Sequence, residues 1–415
     1  MRSRIPLLSA ALALLLAPAL AGCSTDDGVT LEFQTSQAVD SPTYLALETI
    51  TEAFEDAHPG IHVDLEPGGD DYESQMKVRL AAGDPPDLWS THGWSLLRYS
   101  SFLAPLNDEP WAKDFNPILD PVMTNSDGEF FALPVAAAAS GLIVNETVLD
   151  EVGVDPDTLT SWDAIAEAAE EVKAAGIVPF ELAGSKDGSA GNVVDWLAPG
   201  AFTADEFEGF TDGQFPQAAY ERLLGELEAW RSDGWVNVDY SSATFDDMAR
   251  ALAEGKTAFA LSSNYLISSA WQYDPDADLS FQPVPSLLGG ESYLLGGEGT
   301  AFGAAATGDH LQEAKEYLAF LAQPENMTAL AQSVGSPPGL LGVPVDLGAL
   351  TPAYDEFVAT GDVPLEPFFD RVYLPNGMWE TVVSTADGVV AGVSTPADGA
   401  ARMAADFDTL YQQSH

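Results

Sequence analysis

The chain is poor in cysteine, with only Cys23 among its 415 residues. A single cysteine cannot form a disulfide within the chain, so the fold must depend on packing rather than on covalent cross-links. The small disulfide-stapled folds of many secreted proteins are therefore excluded.

Basic residues are also scarce. Fifteen Lys and Arg stand against 65 Asp and Glu, which gives a formal net charge of -50 at pH 7. Binding to nucleic acid depends on cations that neutralise phosphates, so this composition argues against nucleic acid as a partner. We interpret the acidic residues as a solvated coat, as in proteins adapted to salt.

Long apolar runs are absent from the chain after residue 22. No stretch there is apolar and long enough to cross a membrane. Residues 1–22 begin with two arginines and continue to Leu20 as a nearly unbroken run of Leu and Ala, a pattern typical of an export signal. Residues 20–23, Leu-Ala-Gly-Cys, resemble a bacterial lipobox, which implies cleavage before Cys23 and its acylation. A chance free thiol is the alternative. We predict a lipoprotein signal peptide at 1–22 and a lipidated tether at 23–28, on the outer face of the cytoplasmic membrane.

The length suits two cores rather than one. The composition is 46% hydrophobic and 10% aromatic, which provides enough apolar surface for a globular protein. A two-lobed body is therefore expected.

Strands and helices alternate over the first third of the mature chain. The pattern predicts strands at 29–34, 61–66 and 87–91 and helices at 42–57 and 72–82. This alternation is typical of an α/β fold with a mostly parallel sheet. Ligands bind beyond the carboxyl ends of such strands, so the loops at 35–41 and 91–95 are expected on one rim.

The rest of the chain is richer in helices. Helices are predicted at 161–175, 216–232, 245–254, 309–322, 325–333, 352–360, 377–391 and 396–412, and strands at 177–182 and 257–261. The glycine-rich stretch at 284–299 is interpreted as a loop-rich crossover between lobes.

Several ordered segments carry a family resemblance. They are residues 50–61 (ITEAFEDAHPGI), 80–87 (LAAGDPPD), 128–134 (GEFFALP), 161–163 (SWD), 255–259 (GKTAF) and 392–395 (GVST). Together they resemble the extracellular solute-binding proteins of carbohydrate ABC importers, the maltose-binding-protein-like family. The resemblance covers nearly the whole mature chain.

The resemblance implies a two-lobed, periplasmic-binding-protein-like α/β fold with a hinge and an interlobe cleft. Carried onto this sequence, lobe 1 is expected at 29–135 plus 286–323, and lobe 2 at 137–284 plus 325–415. Closure about a few connecting residues is the motion known for such proteins.

The resemblance also implies ligand-binding residues. Trp94, Tyr265 and Trp379 match positions of stacking aromatics or of an aromatic cleft edge. The polar residues expected beside them lie in neighbouring loops: His92, Asn264, Gln37, Asp40, Lys186, Asp187 and Glu298.

Aromatic rings with polar neighbours suit a neutral sugar. One face of a pyranose is lined by C–H groups that pack on a ring, while its hydroxyls need donors and acceptors. Because the chain holds 9 Trp, 12 Tyr and 20 Phe, any one of them is as readily a core residue.

We therefore predict a monomer that captures a sugar or oligosaccharide and delivers it to the transmembrane subunits of an ABC permease. No catalytic residue, metal or cofactor is expected. Three alternatives stay open: a polyol receptor on the same fold, a secreted glycoside-acting enzyme with paired carboxylates, and an adhesin without a small ligand.

Overall fold

The computed structural model describes residues 28–69, 72–184, 188–358, 360 and 362–414. The predicted signal peptide and Cys23 lie outside the described residues. The strands are β1 Val29–Gln34, β2 Ile61–Glu66, β3 Leu88–Ser90, β4 Leu133–Pro134, β5 Ala137–Ser140, β6 Leu142–Asn145, β7 Val178–Phe180, β8 Thr257–Leu261, β9 Leu279–Gln282, β10 Leu294–Glu298, β11 Ala301–Ala304 and β12 Leu365–Pro367.

The helices are α1 Pro42–Ala57, α2 Tyr72–Ala82, α3 Asp120–Met123, α4 Glu146–Val152, α5 Trp162–Ala174, α6 Ser189–Ala201, α7 Ala204–Thr211, α8 Gln217–Ser232, α9 Phe245–Ala253, α10 Tyr265–Ala270, α11 Leu311–Leu321, α12 Pro324–Val334, α13 Thr351–Phe357, α14 Phe369–Val372, α15 Trp379–Val390 and α16 Pro396–Ser414. Short 3-10 helices lie at Ala112–Asp114, Pro117–Leu119, Pro156–Thr158 and Gly348–Leu350.

The first lobe is built on a five-stranded sheet in the order β2-β1-β3-β11-β4. β1 pairs in parallel with β2 and β3, which confirms the parallel arrangement predicted for these strands. β11 is antiparallel to both of its neighbours. Apolar side chains from this sheet and from α1, α11 and α12 share one core cluster, which includes Phe33, Phe54, Phe302, Tyr317 and Met327.

The second lobe is built on a four-stranded sheet in the order β7-β8-β6-β9. Here β6 is antiparallel to β8 and β9, and only β7 and β8 are parallel. Helices α5, α6, α8, α15 and α16 supply the core cluster around this sheet, which includes Phe180, Leu227, Trp230, Val382 and Phe407. The parallel pattern of the first lobe therefore does not extend to the second.

A small sheet in the order β12-β10-β5 contains segments that connect the two lobes along the chain. The chain passes through β5 on its way from β4 to β6, and returns through β10 between β9 and β11. The two segments that connect the lobes therefore pair with each other, since β10 is antiparallel to β5. α12 packs against α1 of the first lobe, although the predicted division assigned 325–415 to the second.

Local signals predicted many elements close to their observed ends. Ser41 caps α1, since its hydroxyl oxygen accepts a hydrogen bond from the Tyr44 backbone N–H at 3.2 Å, and Pro42 is the first helical residue. The loop after β1 reaches the carboxyl end of β3, because the Ser36 N–H donates to the Oγ of Ser90, the last residue of β3, at 3.0 Å. The glycine-rich stretch at 284–299 differs, since it contains the fully buried strand β10.

Within the part of the chain that the structure describes, no helix combines the length and apolar character that crossing a bilayer requires.

Candidate functional site

A cavity of about 360 Å³ lies where the two lobes face each other. The first lobe contributes the turn after β3, and the second lobe contributes the segment from α14 to the start of α15, whose residues Phe369 and Met378 belong to its core. The lining residues are Trp94, Leu97, Arg98, Asp370, Arg371, Leu374, Pro375, Asn376, Gly377, Met378 and Trp379.

The turn after β3 is held by a buried carboxylate. Glu298, at the end of β10, accepts hydrogen bonds from Ser95 N–H at 3.1 Å and Ser95 Oγ at 2.6 Å, and a further one from the Thr91 hydroxyl. Burial raises the pKa of Glu298, although these hydrogen bonds and the charge of Arg371 oppose the shift. Glu298 thus positions the turn that presents Trp94 to the cavity.

Gly93 allows Arg371 of the opposite lobe to approach this turn. Its φ of +85° is in the left-handed region, and a Cβ there would lie 2.3 Å from Arg371 Nη1. Arg371 Nη1 donates to the Glu298 carbonyl oxygen at 3.0 Å. A Cβ at position 93 would therefore displace the Arg371 guanidinium from its hydrogen bond to β10.

Two guanidinium groups lie beside the Trp94 ring. The Arg98 Cζ lies 3.8 Å from the ring centroid, and the Arg371 Cζ lies 5.5 Å from it. Distances of this size are typical of cation–π contacts. Arg371 also lies 4.1 Å from the Phe368 centroid, so the ring and the cations form one packed group.

Arg98 also bridges the lobes. Its Nε and Nη2 donate to Asn376 Oδ1 at 3.0 and 2.6 Å, and its Nη1 donates to Glu73 of α2. Asn376 belongs to the Pro-Asn-Gly turn before α15. The side chain of one arginine therefore connects α2, Trp94 and the opposite lobe.

His92 adopts a strained backbone conformation beside Trp94. Its φ is +46°, and no other described residue except glycine has a positive φ. The rings of His92 and Trp94 are 5.6 Å apart. Desolvation by the surrounding protein atoms, followed by the charges of Arg371 and Arg98, lowers the pKa of His92 to about 4. The ring is therefore neutral at pH 7.

Asp370 brings a carboxylate to the cavity wall. Its backbone N–H donates to Asp195 Oδ1 of α6 at 2.9 Å, and the Arg371 Nε lies 4.0 Å from its Oδ1. Burial, followed by the charge of Asp370, raises the pKa of Asp195 well above its usual value. Burial also raises the pKa of Asp370, although the charge of Arg371 opposes the shift, so the two carboxyl groups form a buried pair at the cavity wall.

Of the predicted ligand-binding residues, Trp94 and Trp379 line this cavity from opposite lobes. Trp379 begins α15 and remains 38% exposed, so its ring is available to a ligand. The His92 ring contacts the Trp94 ring, and Glu298 stabilises the turn after β3 by accepting a hydrogen bond from the Ser95 hydroxyl. The structure thus brings four of the predicted residues into one region.

Two other predicted residues, Tyr265 and Asn264, do not line this cavity. Tyr265 is 55% exposed and stacks on Phe245 with ring centroids 5.8 Å apart. Asn264 is buried, and its amide donates to the Ala139 carbonyl oxygen and to the Tyr354 hydroxyl, both at 3.0 Å. These contacts give Asn264 a place in the fold rather than in the cavity wall.

Gln37 and Asp40 lie in the loop after β1, where the Gln37 amide donates to Ser36 Oγ at 3.3 Å and Asp40 is exposed. Neither residue lines the cavity. Lys186 and Asp187 lie outside the described residues. A ligand-binding role for these four residues stays a prediction.

Sequence reasoning missed the polar residues of the cavity: Arg98, Asp370, Arg371 and Asn376. One signal was available for the arginines. In a chain with only 15 basic residues, both follow closely on aromatic or aliphatic runs, WSLLR and PFFDR. A cation in such a context is costly to bury unless it is paired.

Two α/β lobes around a cavity of this size, lined by indole rings and hydrogen-bonding side chains, define a receptor for a small solute. The sequence profile of a family described as bacterial extracellular solute-binding protein matches residues 49–356. The chain belongs to this family.

The relatives are binding proteins. The melibiose/raffinose/stachyose-binding protein MelE of Bacillus subtilis strain 168 is 30% identical over 407 residues, which cover 95% of this chain and 94% of MelE. The structure of the binding protein MsmE from Bacillus subtilis subsp. subtilis strain 168, in an open conformation, has a TM-score of 0.86 at 30% identity and covers 94% of this chain and 99% of that one.

A sugar transporter protein of Bacillus licheniformis, solved in complex with stachyose, has a TM-score of 0.82 at 29% identity. The match covers 92% of this chain and 100% of that chain. The two-lobed architecture with an interlobe cleft is therefore that of solute-binding proteins.

Proposed function

We propose that this protein is the carbohydrate-binding component of an ABC importer, and that it captures its sugar in the cavity between Trp94 and Trp379. The observation that carries the proposal is the placement of two indole rings on opposite lobes of one cavity. The sugars named for MelE and for the stachyose complex support the ligand class.

The cavity chemistry suits a neutral sugar. Indole faces take the C–H face of a pyranose, remove much apolar surface from water and have few rotatable bonds to order. The Asp370 carboxylate accepts hydrogen bonds from sugar hydroxyls, and the Asn376 amide nitrogen donates to them. The cations Arg98 and Arg371 are balanced by Glu73 and Asp370, so a ligand need not carry a charge.

Capture couples the ligand to the lobes. A sugar that contacts Trp94 and Trp379 together interacts with both lobes, so it favours the arrangement in which they are close. We propose that this closed form docks on the transmembrane subunits of the permease and releases the sugar to them.

The site of action follows from the N-terminus. We propose that residues 1–22 direct export and that Cys23 is acylated, which tethers a monomer to the outer face of the cytoplasmic membrane. Two or more acyl chains would hold it firmly, whereas a single chain binds only marginally. Incorporation of labelled palmitate into the wild type but not into a Cys23→Ser variant checks this step.

We also propose that the protein binds its sugar without altering it. The Asp195 carboxyl accepts a hydrogen bond from the Asp370 backbone N–H, and the Glu298 carboxyl accepts hydrogen bonds from Thr91 and Ser95. Incubation with oligosaccharides followed by chromatography should return the sugars intact. Shortened products would support the glycoside-acting alternative instead.

Thermal unfolding with a panel of sugars tests the ligand class. A ligand at a hundredfold excess over its dissociation constant stabilises the folded state by about 2.7 kcal/mol, which raises the melting temperature measurably. Trp379→Ala should abolish the increase and leave the melting temperature without sugar nearly unchanged, because the ring is partly exposed.

Tyr273→Ala is the matched control, since Tyr273 is a 44% exposed aromatic that does not line the cavity. It should retain the full increase. Failure of every sugar to stabilise the wild type, or an unchanged increase in Trp379→Ala, would contradict the proposal.

A further inference from the structure

Helix α6 supports the part of the second lobe that lines the cavity. It packs against α14 and against α15, the helix that begins with Trp379. Most residues of α6 are buried, among them Gly191 in its first turn and Asp195 one turn later. Residues four positions apart lie on the same face of a helix, so Gly191 and Asp195 share one face of α6. That face meets the two helices that carry the cavity wall.

Gly191 allows α15 to approach α6 closely. A Cβ at position 191 would lie 2.8 Å from Val383 Cγ2, 3.2 Å from Val383 Cα and 3.3 Å from Cη2 of the Trp379 ring. Carbon atoms in van der Waals contact are about 3.5–4.0 Å apart, so each of these three distances is too short. The missing side chain at position 191 therefore sets the distance between the two helices.

A methyl group at position 191 could not be accommodated by a rotation of Val383. Valine has one strongly preferred χ1 rotamer in a helix, and the Val383 Cα belongs to the backbone of α15. The helix itself would therefore have to move away from α6. Trp379 lies four residues before Val383, on the same face of α15, so its ring would move with the helix.

The other part of the wall is tied to α6 by a hydrogen bond. The backbone N–H of Asp370, in α14, donates to Asp195 Oδ1 at 2.9 Å. This bond would hold α14 in place while α15 moved. A side chain at position 191 would therefore change the spacing between Trp379 and Asp370 rather than shift the whole wall. A bound sugar that contacts both groups depends on that spacing.

Helix propensity does not account for the glycine at position 191. Glycine is less favourable than alanine inside a helix, because it loses more backbone freedom on folding. Gly225 in α8 of the same lobe is also helical, but a Cβ there would meet no atom within 4 Å. A comparison of the two positions therefore separates the effect of helix propensity from the effect of limited space.

We propose that Gly191 is a positioning residue for sugar binding, because the space left by its missing side chain fixes the Trp379 ring at the distance from Asp370 that a bound sugar requires. This role rests on the proposed function, and it belongs to a residue that does not itself line the cavity. Gly191 acts on the sugar through Trp379.

Calorimetric titration with melibiose, raffinose and stachyose tests this role. Gly191→Ala should weaken the binding of each sugar that the wild type binds by about three- to tenfold, the loss expected when one aromatic contact is impaired. Gly225→Ala is the matched control, since it makes the same substitution in a helix of the same lobe without a steric conflict. It should bind each sugar within about twofold of the wild type.

A second substitution should restore binding. Val383→Ala removes both Cγ atoms and so makes room for a Cβ at position 191. Alone it should leave affinity within about twofold of the wild type, and Gly191→Ala/Val383→Ala should bind within about twofold of Val383→Ala. Wild-type affinity in Gly191→Ala, or a loss that persists in the double variant, would overturn the role of Gly191 while the proposed function stands. Binding of none of the three sugars by the wild type would overturn both.

Discussion

We predict that Glu181 makes the stability of the second lobe depend on pH. It follows β7 and is only 8% exposed. Burial, followed by the charges of Asp239 and Asp247, raises its pKa from 4.5 to about 7, although Lys256 opposes the shift. Because the folded state binds this proton more tightly than the unfolded state, the stabilisation is complete below pH 4.5 and is lost as the pH rises through about 7.

The magnitude follows from the size of the shift. At about 1.36 kcal/mol per pH unit, the wild type should lose about 2–3 kcal/mol between pH 5 and pH 8.5 through Glu181. Glu181→Gln keeps the shape of the side chain and cannot ionise. The variant should therefore be more stable than the wild type by about that amount at pH 8.5, with a much smaller difference at pH 5.

Urea unfolding of wild type and variant at both pH values measures the difference. Glu167→Gln is the control, because it removes an exposed carboxylate of α5 in the same lobe. Its stability should follow that of the wild type at both pH values. If the Glu181→Gln and wild-type stabilities change in parallel from pH 5 to pH 8.5, the carboxyl is not protonated in the folded state and the reasoning is refuted.

Two further predictions concern the site and its surroundings. Gly93→Ala should cost more stability than Gly128→Ala in urea unfolding. Both glycines have φ near +80°, a conformation that costs an alanine about 1–2 kcal/mol. Only at position 93 would the added Cβ also displace Arg371 from its hydrogen bond. Equal losses would show that Arg371 moves aside freely. Asn264→Ala should lower the free energy of unfolding by about 1–3 kcal/mol and leave sugar affinity unchanged, since its amide is bonded within the fold. A selective loss of sugar affinity, measured by calorimetry, would place Asn264 in the ligand site instead.

The elements with local signals were predictable from the sequence. The Ser41-Pro42 start of α1 has its cap, and Thr257–Leu261 forms the strand expected from its apolar run. The first three strands are parallel because helices connect them in turn. Short-range patterns were sufficient in each of these cases.

β10 shows where local signals fail. Its Gly-Gly pair suggested a loop, but a Cβ on Gly296 would lie 2.0 Å from the Ala138 carbonyl oxygen. The glycine permits close approach to β5 rather than a turn. Only the partner strand, more than 150 residues earlier in the chain, distinguishes the two interpretations.

The sequence by itself determined the family, the alternation of strands and helices, and the two tryptophans that frame the cavity, because these depend on motifs and on spacing along the chain. The tertiary structure alone decided that Arg98 meets Asn376, which is 278 residues away, and that Arg371 reaches the turn at Gly93. The physical reason is that a cleft is formed by segments whose contact depends on how two separately packed lobes face each other, and hydrophobic periodicity reports only on the packing within each lobe.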